Sequence, residues 1–95
     1  MRAIIAFLLL ATYLWAFQDY VELTWTASTT PDVTYNIYRS RKNDGPYNLL
    51  KSGVACCETN DRTVRAGDTY YYVAKAVNSS GEESVYSNQV EATIP

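Results

Sequence analysis

Thr69-Tyr70-Tyr71-Tyr72-Val73-Ala74-Lys75-Ala76-Val77-Asn78 is the stretch whose reading decides the fold. Taken with period two, it places Tyr70, Tyr72, Ala74 and Ala76 on one face and Tyr71, Val73, Lys75 and Val77 on the other. Aromatic and β-branched residues favour such a pleated surface. Arg65-Ala66-Gly67-Asp68 closes the stretch on one side and Asn78-Ser79-Ser80-Gly81 turns it on the other. It reads as the longest strand of the chain, followed by a hairpin loop.

The same period extends outward in both directions. Val21, Leu23 and Trp25 alternate with Glu22, Thr24 and Thr26, and Tyr35 and Ile37 alternate with Asn36 and Tyr38. Between them, Ala27-Ser28-Thr29-Thr30-Pro31-Asp32 has no apolar period and forms a loop. Asn43-Asp44-Gly45-Pro46 is a turn, because Gly admits positive φ and Pro fixes the φ that follows. A short strand over Tyr47 to Leu50 then precedes a turn at Lys51-Ser52-Gly53. Val54 to Val64 holds a further strand of uncertain phase, and Ser84 to Ile94 forms the last, with Val90, Ala92 and Ile94 in phase. Outside the N-terminal apolar run there is no sustained 3.6-residue period. Strands every ~10 residues with turns between them predict an all-β antiparallel sandwich of about six to seven strands.

Composition narrows the function. Ninety-five residues make one small domain. Eight Lys and Arg against ten Asp and Glu give a net charge of −2, without the basic excess that nucleic-acid binding demands. The chain has no histidine and only two cysteines, too few for a tetrahedral zinc site. A nucleophilic Ser or Cys would need Lys or a carboxylate as its base, and no spacing suggests one. Neither a phosphate-cradling glycine loop nor room for a two-carboxylate glycosidase cleft is evident. The expectation is a protein with no catalytic residues, no metal and no cofactor.

The first residues read as an address. Met1 and Arg2 precede an uncharged run from Ala3 to Phe17, matching the basic and apolar regions of a secretory signal peptide and falling short of a comfortable ~20-residue span. Residues 1–16 are therefore expected to be a cleaved leader or an N-terminal apolar anchor, with Ala16 before the cut and residues 17–95 as the domain. Membrane contact is expected only if the segment is kept. Export places the protein outside the cell or at its surface.

Several motifs, in order and spacing, resemble a fibronectin type III domain, most closely the versions in secreted bacterial proteins. They are Val21-Glu22-Leu23-Thr24-Trp25, Tyr35-Asn36-Ile37-Tyr38-Arg39-Ser40, Gly45-Pro46-Tyr47, Asp61 to Val73, Ala76 to Gly81, and Ser84 to Pro95. The resemblance covers about residues 21–95 and implies an immunoglobulin-like sandwich. It makes Trp25 the core tryptophan, with Leu23, Tyr35 and Ile37 around it and Tyr72 on the same inner face as Tyr70. It makes Tyr70 a tyrosine corner whose hydroxyl bonds backbone a few residues upstream. The family also has a first strand of eight to ten residues, for which only Phe17 to Tyr20 remain after a cut at Ala16. Either the apolar run supplies that strand or the mature domain lacks it and exposes an open edge.

Three groups are candidate sites. Tyr38 and Tyr71 should face outward on the sheet of the third, sixth and seventh strands, with Tyr86 starting the neighbouring strand; such a face can anchor a protein or a carbohydrate, or simply pair across strands. Cys56-Cys57 is the second. Cys57 is phased inward and Cys56 outward, leaving open two thiols, an intermolecular disulfide, or a strained bond between neighbours. Arg39, Arg41 and Lys42, like Glu82 and Glu83, read as solvated loop ends. Asn78-Ser79-Ser80 fits both an N-glycosylation acceptor and an ordinary turn, and neither Arg-Gly-Asp nor Trp-Ser-x-Trp-Ser occurs. The function expected is an exported, non-enzymatic binding or spacer module. The alternatives are a structural subunit that self-associates through an open edge or Cys56, and an accessory domain of a secreted polysaccharide-degrading enzyme.

Overall fold

The alternating stretches form strands in the computed structural model, which describes residues 9–13 and 20–95. In chain order these are β1 (Leu9–Tyr13), β2 (Val21–Trp25), β3 (Thr34–Ser40), β4 (Asn48–Val54), β5 (Glu58–Asp61), β6 (Thr69–Val77) and β7 (Val90–Thr93). One antiparallel sheet has the order β1-β2-β5 and the other β4-β3-β6-β7. The two pack face to face as an all-β sandwich. Residues 1–8 and 14–19, including the expected cut after Ala16, lie outside the described residues.

Val21, Leu23, Trp25, Tyr35, Ile37, Tyr70, Tyr72, Ala74, Ala76, Ala92 and Ile94 form one buried cluster between the sheets. The edge of one ring in the Trp25–Tyr35 pair meets the face of the other at 5.3 Å. Small alanines on β6 and β7 admit these large rings. Val73, expected on the outer face, is buried there as well; it sits directly opposite Tyr38 in the register, and that ring shares its face. The Tyr70 hydroxyl accepts the Arg65 N–H at 3.0 Å, across the turn that leads into β6.

Three details differ from the sequence expectations. Lys51-Ser52-Gly53 is not a turn: β4 runs through it to Val54. Gly53 absorbs the irregularity at φ +65°, its N–H donates to Asn36 Oδ1, and the β3–β4 register shifts on either side of Ile37. The chain reverses later, around Cys56 and Cys57.

The second difference is that the last strand is interrupted, with only Val90–Thr93 pairing as β7. Before it, serine side chains stand in for a backbone ladder. Ser84 and Ser87 donate their N–H groups to Ala76 O and Ala74 O, while their hydroxyls accept the N–H groups of Ala76 and Ala74. A backbone carbonyl is thus replaced by an Oγ at two successive positions, and β6 stays satisfied without a regular partner.

Third, Arg39 is no loop end. It lies on the inner face of β3 and reaches the buried Asp61. The turn before β4 falls where expected, at Asn43 and Asp44. Gly45 there has φ +86°, and a Cβ on it would meet the Tyr47 ring at 3.1 Å, so both backbone and space require glycine.

Candidate functional site: an outward tyrosine face

β3 and β6 lie side by side, with Tyr38 opposite Val73 and Asn36 opposite Lys75. Their outer faces therefore carry Asn36, Tyr38 and Lys75 together. The segment after the Asn78–Gly81 loop crosses this face. Its course is set by the Val77–Glu83 bridge and by the clamps at Ser84 and Ser87, which hold Tyr86 over the sheet. The Tyr38 and Tyr86 rings meet edge to face with centroids 5.4 Å apart. Tyr47, delivered by the turn before β4, meets Tyr86 at 5.1 Å.

Polar groups lock the cluster. The Tyr38 hydroxyl donates to Glu83 Oε2, which also accepts Asn36 Nδ2 at 2.8 Å. Lys75 Nζ lies 3.8 Å from Glu83 Oε1 and 4.4 Å from the centre of the Tyr86 ring, a cation over a negative π face. Gln89 Oε1 accepts the Tyr47 hydroxyl and the Asp44 N–H, and Gln89 Nε2 donates to Asn43.

These contacts shift the titrations. Burial first, then the Glu83 carboxylate as acceptor and negative neighbour, push the Tyr38 phenol up to about 12. Burial, with Asp44 and Tyr86 nearby, also raises the Tyr47 phenol. The hydrogen bonds from Tyr38 and Asn36 hold the Glu83 carboxyl below its usual range. At neutral pH Tyr38 and Tyr47 are thus uncharged, beside the Glu83–Lys75 ion pair. Tyr86 remains 41 % exposed and Val85 beside it 69 %. A surface of this kind can take the flat apolar side of a ligand and hydrogen-bond its rim.

The structure brings Tyr38 and Tyr86 together and adds Tyr47. Tyr71 lies on the same face but two residues along β6, paired with Ser40 and Glu91, and it makes no ring contact with the other three among the described residues. The Gly45-Pro46-Tyr47 turn carried the signal for Tyr47, since a strand that starts beside β3 brings its first aromatic ring onto the same sheet. Glu83, expected in a solvated loop end, is the acceptor at the centre of the face.

The Cys56 and Cys57 side chains converge on each other. Their peptide is cis, so the Cα atoms are 3.0 Å apart and not at the trans spacing. Cys56 is exposed and Cys57 half-buried against the core. A groove of about 300 Å³ beside the β3–β4 hairpin is lined in part by Arg39, Arg41 and Lys42. Its guanidinium groups are already paired, Arg39 with Asp61 and Arg41 with Asp68 at 3.1 Å. Among the described residues no cluster of three His, Cys, Asp or Glu could hold a metal ion.

No family model matches the chain. Over 72 residues, 76 % of its length, it is 40 % identical to an amylopullulanase of Thermoanaerobacter thermohydrosulfuricus. It is 36 % identical to an amylopullulanase of Thermoanaerobacterium thermosulfurigenes over the same length. The chain spans only 5 % and 4 % of those two relatives. Among solved structures, a pectate lyase from Erwinia chrysanthemi has a TM-score of 0.74 at 18 % identity, covering 93 % of this chain and 27 % of the lyase, which speaks for the fold alone. An Fn3-like protein from Clostridium thermocellum has a TM-score of 0.76 at 31 % identity, covering 90 % of this chain and 88 % of that one. With sandwich, tyrosine corner and near full-length similarity agreeing, the chain belongs to the Fn3-like, or fibronectin type III, family.

Proposed function

We propose that this domain is a non-catalytic accessory module of an exported polysaccharide-degrading enzyme, and that it contacts glycan through Tyr38, Tyr47 and Tyr86. Similarity to short segments of two amylopullulanases supports the context. The observation that carries the binding role is Tyr86, held in place by Ser84 and Ser87 yet 41 % exposed, with Val85 open beside it. A pyranose offers an apolar face to such a ring and hydroxyls to Glu83, Asn36 and Gln89. The face carries no nucleophile–base pair, which fits binding and not turnover.

Electrophoresis of the protein in native gels containing pullulan, the glycan that the relatives' name points to, tests this. The expected outcome is retardation by pullulan that Tyr86→Ser removes while the thermal midpoint stays close to that of the parent. Migration unchanged by glycan in the parent protein would remove the binding role and leave that of a spacer.

A further inference from the structure

The charges around the tyrosine face are sorted by sign. The cations of β3 and β4 turn inward to β5 of the other sheet, Arg39 to Asp61 and Lys51 Nζ to Thr59 Oγ1 at 3.1 Å. The outer face keeps Lys75, and that ammonium is committed to Glu83 and to the Tyr86 ring. Against it stand three carboxylates. Glu83 is at the centre, Asp44 lies near Tyr47, and Glu91 is set opposite Tyr71 on the same side of the sheet. The phenolic hydrogens of Tyr38 and Tyr47 are also spent, on Glu83 and on Gln89 Oε1. Both oxygens therefore meet a ligand as acceptors.

We infer that Glu83 makes this face selective for uncharged glycans and turns polyuronates away. The inference rests on the binding role proposed above and adds the class of glycan. A sugar hydroxyl can donate to a carboxylate or to a phenolic oxygen, whereas an ionised carboxylate on the ligand only accepts. Laid over Tyr86, such a carboxylate would meet Glu83 while Lys75, the cation at hand, is already paired. Two like charges ~4 Å apart weaken binding roughly fivefold even in water, and a polyuronate brings one carboxylate on every ring.

Glu83 thus has two separable parts in the face. Its oxygens accept Tyr38 and Asn36 and so order the platform, while its charge decides which glycans can lie there. Glu83→Gln keeps an oxygen for the Tyr38 hydroxyl, removes the repulsion and releases Lys75 to pair with a ligand carboxylate. The variant should gain a ligand, an outcome that loss of folding cannot imitate.

Native gels containing either pullulan or polygalacturonate test this, with mobility measured against a reference protein that binds neither and dissociation constants read from the retardation. Glu58→Gln is the control, since it removes the same charge from an exposed position on β5 in the other sheet. The parent protein is expected to be retarded by pullulan and to bind polygalacturonate at least about fivefold more weakly. Glu83→Gln should keep the pullulan retardation and bind polygalacturonate about fivefold more tightly than the parent, a gain that raised salt removes. Glu58→Gln should behave as the parent.

Equal retardation of the parent by both glycans would overturn the selectivity and leave the binding role standing. Retardation by neither would end both. A selective parent whose Glu83→Gln variant gains nothing, or a gain matched by Glu58→Gln, would overturn the part assigned to Glu83 and trace the selectivity to net charge or to shape.

Discussion

The β3–β6 pair carries the same chemical trio on both of its faces: a tyrosine hydroxyl donating to a carboxylate that also meets a cation. On the inner face Tyr72 donates to Asp61 at 2.7 Å and Arg39 Nη1 reaches the same oxygen at 2.8 Å. On the outer face Tyr38 donates to Glu83, with Lys75 3.8 Å from the carboxylate. Their surroundings separate them. Asp61 is 1 % exposed, and its second oxygen accepts both the N–H and the hydroxyl of Thr63. Glu83 is open to solvent. A buried carboxylate must have its acceptors met in full or the sandwich fails, whereas an exposed one orders a surface at little cost to the fold. One trio ties the two sheets together through β5, and the other orders an outward aromatic surface.

The sharpest way to break the comparison is to remove each carboxylate. Asp61→Ala strands the Arg39 charge, the Tyr72 hydroxyl and the Thr63 N–H, and should lower the unfolding free energy by about 3–5 kcal/mol. The lower end is expected, because the Arg39 side chain keeps 26 % exposure and water can reach it. Urea denaturation reads this directly. A loss under about 1 kcal/mol, the range of a surface pair, would put the inner trio in the same class as the outer one.

Acid sharpens the contrast next. Burial pushes the Asp61 carboxyl up, but the hydrogen bonds from Thr63, Tyr72 and Arg39 outweigh it and hold it below its ordinary value. A carboxyl depressed in the folded state contributes stability that is complete above its unfolded value, about 3.9. That contribution is lost as pH falls through the folded value, because the unfolded chain takes the proton first. The urea midpoint should therefore drop steeply below about pH 4, and Asp61→Asn should flatten the drop. Glu83 is also held low, so Glu83→Gln should flatten it slightly. Equal flattening by the two variants would contradict the difference in burial.

The sandwich was legible because period two recurs in β2, β3 and β6, and the inner residues Leu23, Trp25, Tyr35, Ile37, Tyr70 and Tyr72 all follow it. Alternation says nothing about which outward residues meet across strands. The tyrosine face needed the registers, which bring in Tyr47 and leave Tyr71 apart. Arg39 shows the deeper limit. Its phase with Tyr35 and Ile37 pointed inward, but its charge favoured solvent; only the Asp61 carboxylate, arriving from the other sheet, settles the conflict. Ser84 and Ser87 were invisible for a related reason, since a hydroxyl that completes a backbone ladder looks like any polar residue in a loop. The β4 turn was misplaced because Lys51-Ser52-Gly53 has turn composition, while the paired neighbour β3 carries the chain through it as a bulge.

The smallest effect concerns the outer trio alone. Glu83→Gln keeps an acceptor for the Tyr38 hydroxyl and removes the negative charge, so the loss of stability at neutral pH should stay within about 1 kcal/mol. The Tyr38 phenol, held at about 12 by burial and by Glu83, should move down toward the ordinary value of about 10. Phenolate absorbance during an alkaline titration follows this as one late-titrating tyrosine that becomes earlier. The sign for stability is opposite to that of the carboxyls. A phenol raised in the folded state contributes fully below its unfolded value and loses the contribution as pH rises through the folded one. Parent and variant should therefore diverge above about pH 10 and not at neutrality. If instead Tyr38 keeps its late titration in Glu83→Gln, burial alone holds the phenol, and the outer trio reduces to three rings packed on a sheet.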